Sequence, residues 1–557
     1  MKRMSLLLLV LCFIAGACAQ PSPDARSAKV DSLFAHLNKT SSPGLAVLVV
    51  QDGRVLLRKG YGMANLEHKI PITPATVFDI ASVSKQFAGM AVAMLAETGK
   101  ISLSDDIRKY IPELPDFGHP ITIAHLVHHT SGLRDWPGAL SVAGWQMDDV
   151  ISFEQILKMA YTQRDLNFAP GSEYAYSNTG YNVLVEMMQR VTGQSFRAWT
   201  DTHLFKPLGM HNTHFHDDHR EVVAGKAYGY AGDGKGAFRT LHDGLTALGS
   251  SSLYTTIDDL AKWVANLDNP KVGGQAVLAR MLQPGVLNDG KKIKYAFGLE
   301  VDQHQGLRTI AHSGGWAGFN TYLVHFPDQH LSVVALSNSD AANAGRAAYA
   351  LADLYLGSRV KPAKATTAAQ KSTLKPVRVS TATLDAYVGT YRLGPAWYVT
   401  IARDGDGLTA YATGEEVVPM TAQSQSAFWV AAYGDSVVFN RNPAGRVTGF
   451  AYHGLNCPRM ENFRPGDPQP LEEFTGTYAS EEFGTEYTVA AEAGRLVMKH
   501  RRHGPIRLKA AWKDDFRSDE WFMQGVTFYR DGTGKVAGLS VTQGRNRNMR
   551  FVKKRVG

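Results

Sequence analysis

Cysteine is scarce, with three in 557 residues, and two of them, Cys12 and Cys18, fall among the first nineteen. Cys457 then stands alone, which excludes an internal disulfide and leaves stability to packed cores. Long apolar runs are missing beyond the N-terminus: none approaches the roughly 18 residues of a membrane-crossing helix. Neither sign of charge dominates, since 59 Lys and Arg against 51 Asp and Glu give +8. The basic runs Lys499–Arg502 and Arg545–Arg555 read as solvated strand faces, with anionic wall or membrane polymers as the partner class they leave open.

The N-terminus itself reads as an export signal: Lys2 and Arg3, the apolar stretch Leu6–Ile14, then small residues Ala17-Cys18-Ala19. Cleavage after Ala19 is expected, with a periplasmic or secreted product. A lipid on Cys18 is the alternative, but Ala15-Gly16-Ala17 lacks the usual leading Leu. An exported chain gives no reason to expect nucleic acid as a partner. Oligomeric state leaves no signature.

The remaining length suits two or three domains. A helical lead-in at Ala28–Leu37 precedes two strands between Gly44 and Gly60, joined by the hairpin signal Asp52-Gly53. Helical segments and polar loops fill 101–250, and Ile257–Leu267 is helical. Strands are expected at Tyr295–Val301, Thr309–His312, Asn320–Phe326 and Leu331–Ser337, then a helix over Ala341–Leu356. Strands at both ends with helices between predict an α+β domain over 20–360, with one antiparallel sheet packed by helices and a helical subdomain. Residues 361–380, opening KPAKATTAAQKSTLKP, read as a linker. Beyond it, Leu384-Asp-Ala-Tyr-Val-Gly-Thr-Tyr391 echoes Leu471-Glu-Glu-Phe-Thr-Gly-Thr-Tyr478. Each copy opens about 85 residues of short alternating strands, which predicts two small β-barrels, 381–466 and 467–557.

The centre of the first domain is DIASVSKQFAGMAVAMLAETG, residues 79–99. From Gln86 to Glu97 it is small or apolar nearly all round, the mark of a buried helix. Ser82 and Lys85 at its front edge are one turn apart and share a face. A serine hydroxyl needs a neighbouring base, and lysine serves when burial lowers its pKa. Ser82 is thus the candidate nucleophile and Lys85 its proton acceptor. Ser358…Lys361 and Ser372…Lys375 share the SxxK spacing but fall in or beside the linker and are set aside.

Two further motifs join it. Tyr176-Ser-Asn178 is the only YxN in the chain. A lysine-stabilised phenolate on Tyr176 could shuttle a proton to a leaving group, and Asn178 could hold the lysine and a substrate amide. His312-Ser313-Gly314-Gly315 ends an expected strand; its glycines let a substrate lie along the edge, and the Gly315 amide could join that of Ser82 as an oxyanion donor. His242-Asp-Gly244 lacks a strand and is discounted.

In this order the three motifs resemble the SxxK, YxN and KTG/HxG trio of penicillin-recognising serine hydrolases. The branch is that of class C β-lactamases, DD-carboxypeptidases, esterases and D-aminopeptidases. His125-Leu-Val-His-His-Thr-Ser-Gly-Leu133, Pro207-Leu-Gly-Met210 and Ser250–Leu260 extend the likeness, which covers Ser32 to Leu356. It implies acylation of Ser82 by an amide or ester carbonyl, proton transfer by Lys85 and Tyr176, orientation by Asn178, and an oxyanion hole from the Ser82 and Gly315 amides. His312, Ser313 and Gly314 become substrate-binding positions, and no metal or organic cofactor is implied. The barrels resemble the lipocalin-like pair of D-aminopeptidases, where a barrel loop enters the active site. His312 stands where many β-lactamases carry lysine, and a neutral imidazole suits a substrate carboxylate less well. That tilts the expectation toward peptidase, amidase or esterase. Substrates are small molecules or peptides; the alternative of another class is a non-turnover penicillin-binding or wall-binding protein. His211, His214, His216 and His219, with Asp217 and Asp218, match no ligand spacing and read as a surface loop. His128 and His129 read as structural, and Trp316 as a pocket wall.

Overall fold

The computed structural model describes residues 25–357, 377–394, 397–412, 416–452, 455–460 and 469–555. The expected signal at 1–19 and residues 361–376 of the expected linker lie outside the described residues.

The N-terminal helix α1 (Ala25–Phe34) leads into the hairpin of β1 (Leu45–Gln51) and β2 (Arg54–Tyr61). Asp52 and Gly53 both take positive φ in its turn. The chain then passes strand β3 (Phe78–Asp79) into a 3-10 turn, Ala81–Ser84, and helix α2 (Lys85–Glu97). Helices α3 (Trp136–Val142) and α4 (Asn178–Thr192) follow, then strands β4 (His214–Phe215) and β5 (Leu253–Thr255) and helix α5 (Ile257–Asp268). The second strand block is β6 (Glu300–His304), β7 (Leu307–Trp316), β8 (Phe319–Phe326) and β9 (Leu331–Ser337), closed by α6 (Ala344–Leu356).

The two ends meet in one antiparallel sheet of order β6-β7-β8-β9-β1-β2. Period two divides β1 between two cores. Ala46, Leu48 and Val50 join α2, while Leu45, Val47 and Val49 face α1 and α6. Covered on both faces, β1 has no polar side and reads as an unbroken apolar run. Helix α2 is buried along Lys85–Ala93, with Phe87 against Trp263 of α5 at 4.0 Å between ring centroids. The strand expected over Tyr295–Val301 begins only at Glu300; Tyr295–Phe297 are instead buried in a loop against α2.

Two closed eight-stranded barrels follow, β10–β17 between Gly389 and Met460 and β18–β25 between Gly476 and Lys553. The sequence echo has a structural counterpart: Tyr391 and Tyr478, both buried, each donate to the carbonyl four residues earlier, of Tyr387 and Phe474, at 2.7 Å. The second barrel shares a core with the first domain, in which Trp136, Ala139 and Val142 of α3 pack with Tyr487, Met498 and Phe551. The first touches the second, through Tyr398 stacked on Trp512 and an Arg392–Asp515 ion pair of 3.1 Å.

Candidate functional site

The approach to Ser82 is strained. Ala81 sits at φ 48°, a left-handed conformation costing roughly 1–2 kcal/mol for a residue with a Cβ. The Asp79 carboxylate holds it by accepting the Ala81 N–H at 2.7 Å. Ser82 follows in the 3-10 turn, and Lys85 opens α2 one turn on.

Lys85 is fully buried. Its Nζ lies 2.7 Å from Asn178 Oδ1, 2.6 Å from the Ser250 carbonyl and 3.1 Å from Ser82 Oγ. The first two atoms only accept. A neutral amine has two N–H bonds for them and one lone pair left for the Ser82 hydroxyl. Burial sets the protonation in the same sense: desolvation drives the Lys85 pKa well below its ordinary value, with Arg545 assisting and Asp135 opposing.

Tyr176 lies beside Ser82. Both Lys85 and Arg545 lie over its ring, at 4.8 and 4.6 Å from the centroid. Burial raises the phenol's pKa far above its usual value, against the Ser82 hydroxyl, which acts to lower it, so at neutral pH Tyr176 is a phenol and a donor. The phenolate expected from sequence does not fit this environment.

His312 uses both ring nitrogens inside the protein. Nδ1 lies 2.6 Å from the Ser313 carbonyl and therefore carries the proton; Nε2 accepts from Tyr295 at 2.8 Å. Burial, aided by Lys85, lowers its pKa to about 3. The imidazole is thus a neutral strut under the strand. Strand β6 pairs β7 only as far as Glu300–Ala311, so His312–Trp316 present an edge on that side that no described strand covers. A Cβ at Gly314 would lie 2.3 Å from the Ile80 carbonyl and from Thr321 Oγ1, so only glycine lets β7 close on the Ile80–Ser82 turn. Gly315 points into open space.

Ser82, Tyr176, Asn178, His312, Ser313, Gly314 and Gly315 all line one cavity of about 620 Å³, with Lys85 beneath Ser82. Its other walls are Trp136, Trp316, Met147 and Leu245, with Tyr174 and Glu300 adding polar edges. His128 and His129 stay outside that lining. His129 is packed among Tyr176, Tyr181 and Tyr295 and accepts the Ser177 N–H at 3.2 Å.

The resemblance raised a barrel loop at the site but named no residue of it; the loop belongs to the second barrel. Strands β24 (Val536–Gln543) and β25 (Asn546–Lys553) turn through Gly544-Arg545, and Arg545 and Trp521 reach the cavity wall. Arg545 pairs with Asp135 at 2.9 Å, and Asn546 brackets the Asp135 backbone, Oδ1 accepting its N–H at 2.6 Å and Nδ2 donating to its carbonyl at 2.9 Å. The Asp135 carboxylate in turn accepts the Asn178 amide and side chain at 2.7 and 2.9 Å. A continuous chain of bonds therefore runs from the barrel through Asp135 and Asn178 to Lys85. Next to it Arg134, wholly buried, donates to Glu482 at 2.6 Å. The reading of Arg545–Arg555 as a solvated face is incomplete at Arg545, whose side chain stays 49% exposed while it pairs with the buried Asp135; the Gly-Arg-Asn-Arg-Asn hairpin tip, dense in donors, was the available signal. Asp135 carried no signal of its own, and Ser250 only its place in a stretch that extends the family likeness.

Residues 30–358 match the Beta-lactamase family. Among curated relatives, a D-aminopeptidase of Gluconobacter oxydans is 27% identical over 484 residues, covering 85% of this chain and 86% of its own. Penicillin-binding protein 4* of Bacillus subtilis is 26% identical, covering 74% and 93%. Among solved structures, the octameric penicillin-binding protein homologue from Pyrococcus abyssi shares the fold at TM-score 0.54 and 20% identity, over 85% of this chain and 98% of that one. With more than half of its length in the match, the chain belongs to the beta-lactamase family and is a serine hydrolase of that family.

Proposed function

We propose that the protein is an exported hydrolase that opens small amide, peptide or ester substrates through an acyl-enzyme on Ser82, with D-amino-acid amides and cell-wall-type peptides as the favoured substrates. The observation that carries this is the Lys85 amine, buried and with two acceptors for its two protons, whose lone pair is left for the Ser82 hydroxyl.

In the first half-reaction Ser82 Oγ attacks the carbonyl carbon while its proton passes to Lys85 Nζ. The carbonyl oxygen takes the negative charge between the Ser82 and Gly315 amides. Tyr176, a phenol, gives its proton to the leaving nitrogen or oxygen and regains one from Lys85. The C–N or C–O bond breaks and the acyl group stays on Ser82. Water then repeats the sequence, releasing the acid and restoring the serine. The strand edge at Ser313–Gly315 holds the substrate backbone, and Asn178 its amide.

Substrate class rests on two features. The neutral His312 offers no cation to a carboxylate, in keeping with amides bearing a free amine, and D-aminopeptidases are among the similar proteins. Arg545 on the cavity wall favours a second reading, a DD-peptidase-like preference for a substrate with a terminal carboxylate. The discriminating assay compares D-alanine amides with D-Ala-D-Ala peptides in native protein and Arg545→Gln. Loss on the carboxylate substrate alone would select the second reading.

The primary test is intact mass after incubation with a penicillin and with an activated ester, beside Ser82→Ala. An adduct or ester turnover in the native protein and neither in the folded variant is the expected result. Stoichiometric binding without any turnover would make the protein a binder. Turnover that survives Ser82→Ala would refute the assignment.

A further inference from the structure

Outside the catalytic cavity, the His-rich stretch set aside as a surface loop is only partly one. Strand β4 pairs with β5, His214 opposite Tyr254, in the small sheet that also contains β3. Phe215 points into the core, so period two turns His214 and His216 to the same opposite side. Glu221 returns to that side, and the three residues offer ligand atoms that all lie within 4.8 Å of one another.

The histidines are not satisfied by the protein. His216 is only 1% exposed, and its Nδ1 is a buried atom with no hydrogen-bond partner; so is His214 Nε2. A buried polar atom left unpaired costs about 1–3 kcal/mol, and here two converge on one carboxylate. His216 Nδ1 stands 3.7 Å from Glu221 Oε2. That is too long for a hydrogen bond and close to the roughly 3.4 Å separating two ligands of a tetrahedral ion with bonds near 2.1 Å. Burial lowers the pKa of both imidazoles, that of His214 to about 4, which keeps them in the neutral form that ligates. Arg197 pairs with both oxygens of the carboxylate, at 2.6 and 2.9 Å, and also with Asp217 at 2.8 Å, so an ion would take a remaining lone pair of Glu221. The guanidinium charge weakens affinity for a cation, while its bonds orient the ligand.

We propose that His214, His216 and Glu221 bind one divalent transition-metal ion of the zinc type, with solvent completing the coordination. The ion would pin the segment after His216 to the small sheet. That segment rejoins the sheet where Val77 donates to the Gly225 carbonyl at 3.0 Å and accepts from Ala227 at 2.9 Å, one residue before β3 and five before Ser82. The site is therefore a structural staple beneath the nucleophile's strand and takes no part in acyl transfer.

The test uses the mature full-length protein, stripped with a chelator and titrated with zinc and with cobalt(II). Expected are one equivalent bound, visible cobalt absorption typical of four or five ligands, and a rise in Tm with zinc. His214→Ala and Glu221→Gln should each weaken binding at least tenfold and abolish the Tm rise. Glu221→Gln keeps the shape of the half-exposed residue, so loss there is not a folding failure. Ester turnover by chelator-treated protein should match that of the zinc-loaded form at temperatures where both are folded. No saturable uptake below about 0.1 mM zinc, or binding of unchanged affinity in both variants, would overturn the site.

Discussion

Gly314→Ala tests how the third motif is held against the first. Gly314 needs no positive φ, so alanine is excluded by space alone. The new methyl would sit 2.3 Å from the Ile80 carbonyl, 2.3 Å from Thr321 Oγ1 and 3.1 Å from the Ser82 amide nitrogen, where ordinary contact begins at 3.4 Å. Strand β7 must therefore retreat by about 1 Å from the turn that carries Ser82. The methyl also enters the space of the Thr321–Ile80 hydrogen bond, 2.8 Å long and buried. Overpacking of this kind costs about 1–3 kcal/mol, and the broken bond about 1 more. A 1 Å displacement of the oxyanion donor relative to the nucleophile costs on the order of 100-fold in rate. Gly315→Ala is the internal control: its methyl meets nothing within 4 Å, so stability should change by less than about 0.5 kcal/mol. The assay is kcat/KM on an activated ester, normalised by burst titration to exclude a misfolded fraction, with thermal unfolding alongside. The reasoning fails if Gly314→Ala keeps kcat/KM within about threefold of native, or if both alanines lower Tm alike.

Activity should rise with pH through the depressed pKa of Lys85 and level off above it. Arg545→Gln removes a cation near Lys85 and leaves Asp135 less neutralised; both effects raise that pKa and move the acid limb to higher pH. His129 and His312, the imidazoles near Lys85, have pKa values lowered by burial, His312 to about 3, and leave the acid limb to the lysine. In stability the sign is fixed too. Between its folded value and 10.5 the unfolded chain binds a proton that the native state does not, so Lys85 makes stability rise with pH in that window and the slope ends above it, where the penalty of the buried amine is gone. Lys85→Met should remove that slope in denaturant titrations at several pH values. Glu482→Ala strands the Arg134 guanidinium, which is 0% exposed. A loss of about 3–5 kcal/mol is expected in chemical unfolding, with faster proteolysis of the second barrel. Tyr176→Phe keeps the ring beneath Lys85 and Arg545 and removes the proton donor, so kcat should fall about 10²–10⁴-fold with little change in Tm.

What could be read from the chain followed from local rules. Helix α2 announced itself because a buried helix must be apolar on every side, and the Asp52-Gly53 turn because few residue pairs accept its two positive φ values. The barrels were legible through a repeated Tyr whose hydroxyl closes the same turn in each copy. Ser82 and Lys85 needed only the pitch of a helix. Misreadings arose where a residue's role is set by a distant part of the chain. Arg545 belongs to a hairpin that looks solvated until Asp135, 410 residues earlier, is brought to it by α3. His214 and His216 looked like a surface run because the pairing of His214 with Tyr254 and of Phe215 with Leu253, which carries His216 into the interior, has no trace in their own neighbourhood. Tyr176 was expected as a phenolate because the lysine beside it was legible and the aromatic packing that desolvates it was not.

The position of Asp135 explains why a barrel so far along the chain belongs to the active site. A buried carboxylate close to Lys85 would by itself favour the ammonium and disable the proposed base. The fold needs that carboxylate, because it receives the free amide at the N-terminus of α4 and orients Asn178. Arg545 resolves the conflict: paired to Asp135, it leaves the hydrogen bonds in place and offsets the charge felt by Lys85. The same side chain lines the cavity beside Tyr176, so the cation that assists burial in keeping the lysine neutral also limits what reaches Ser82. Catalytic competence and substrate size are thereby coupled through one hairpin. A change there that widens the entrance without a cation to replace Arg545 should admit larger substrates only at the cost of a higher working pH.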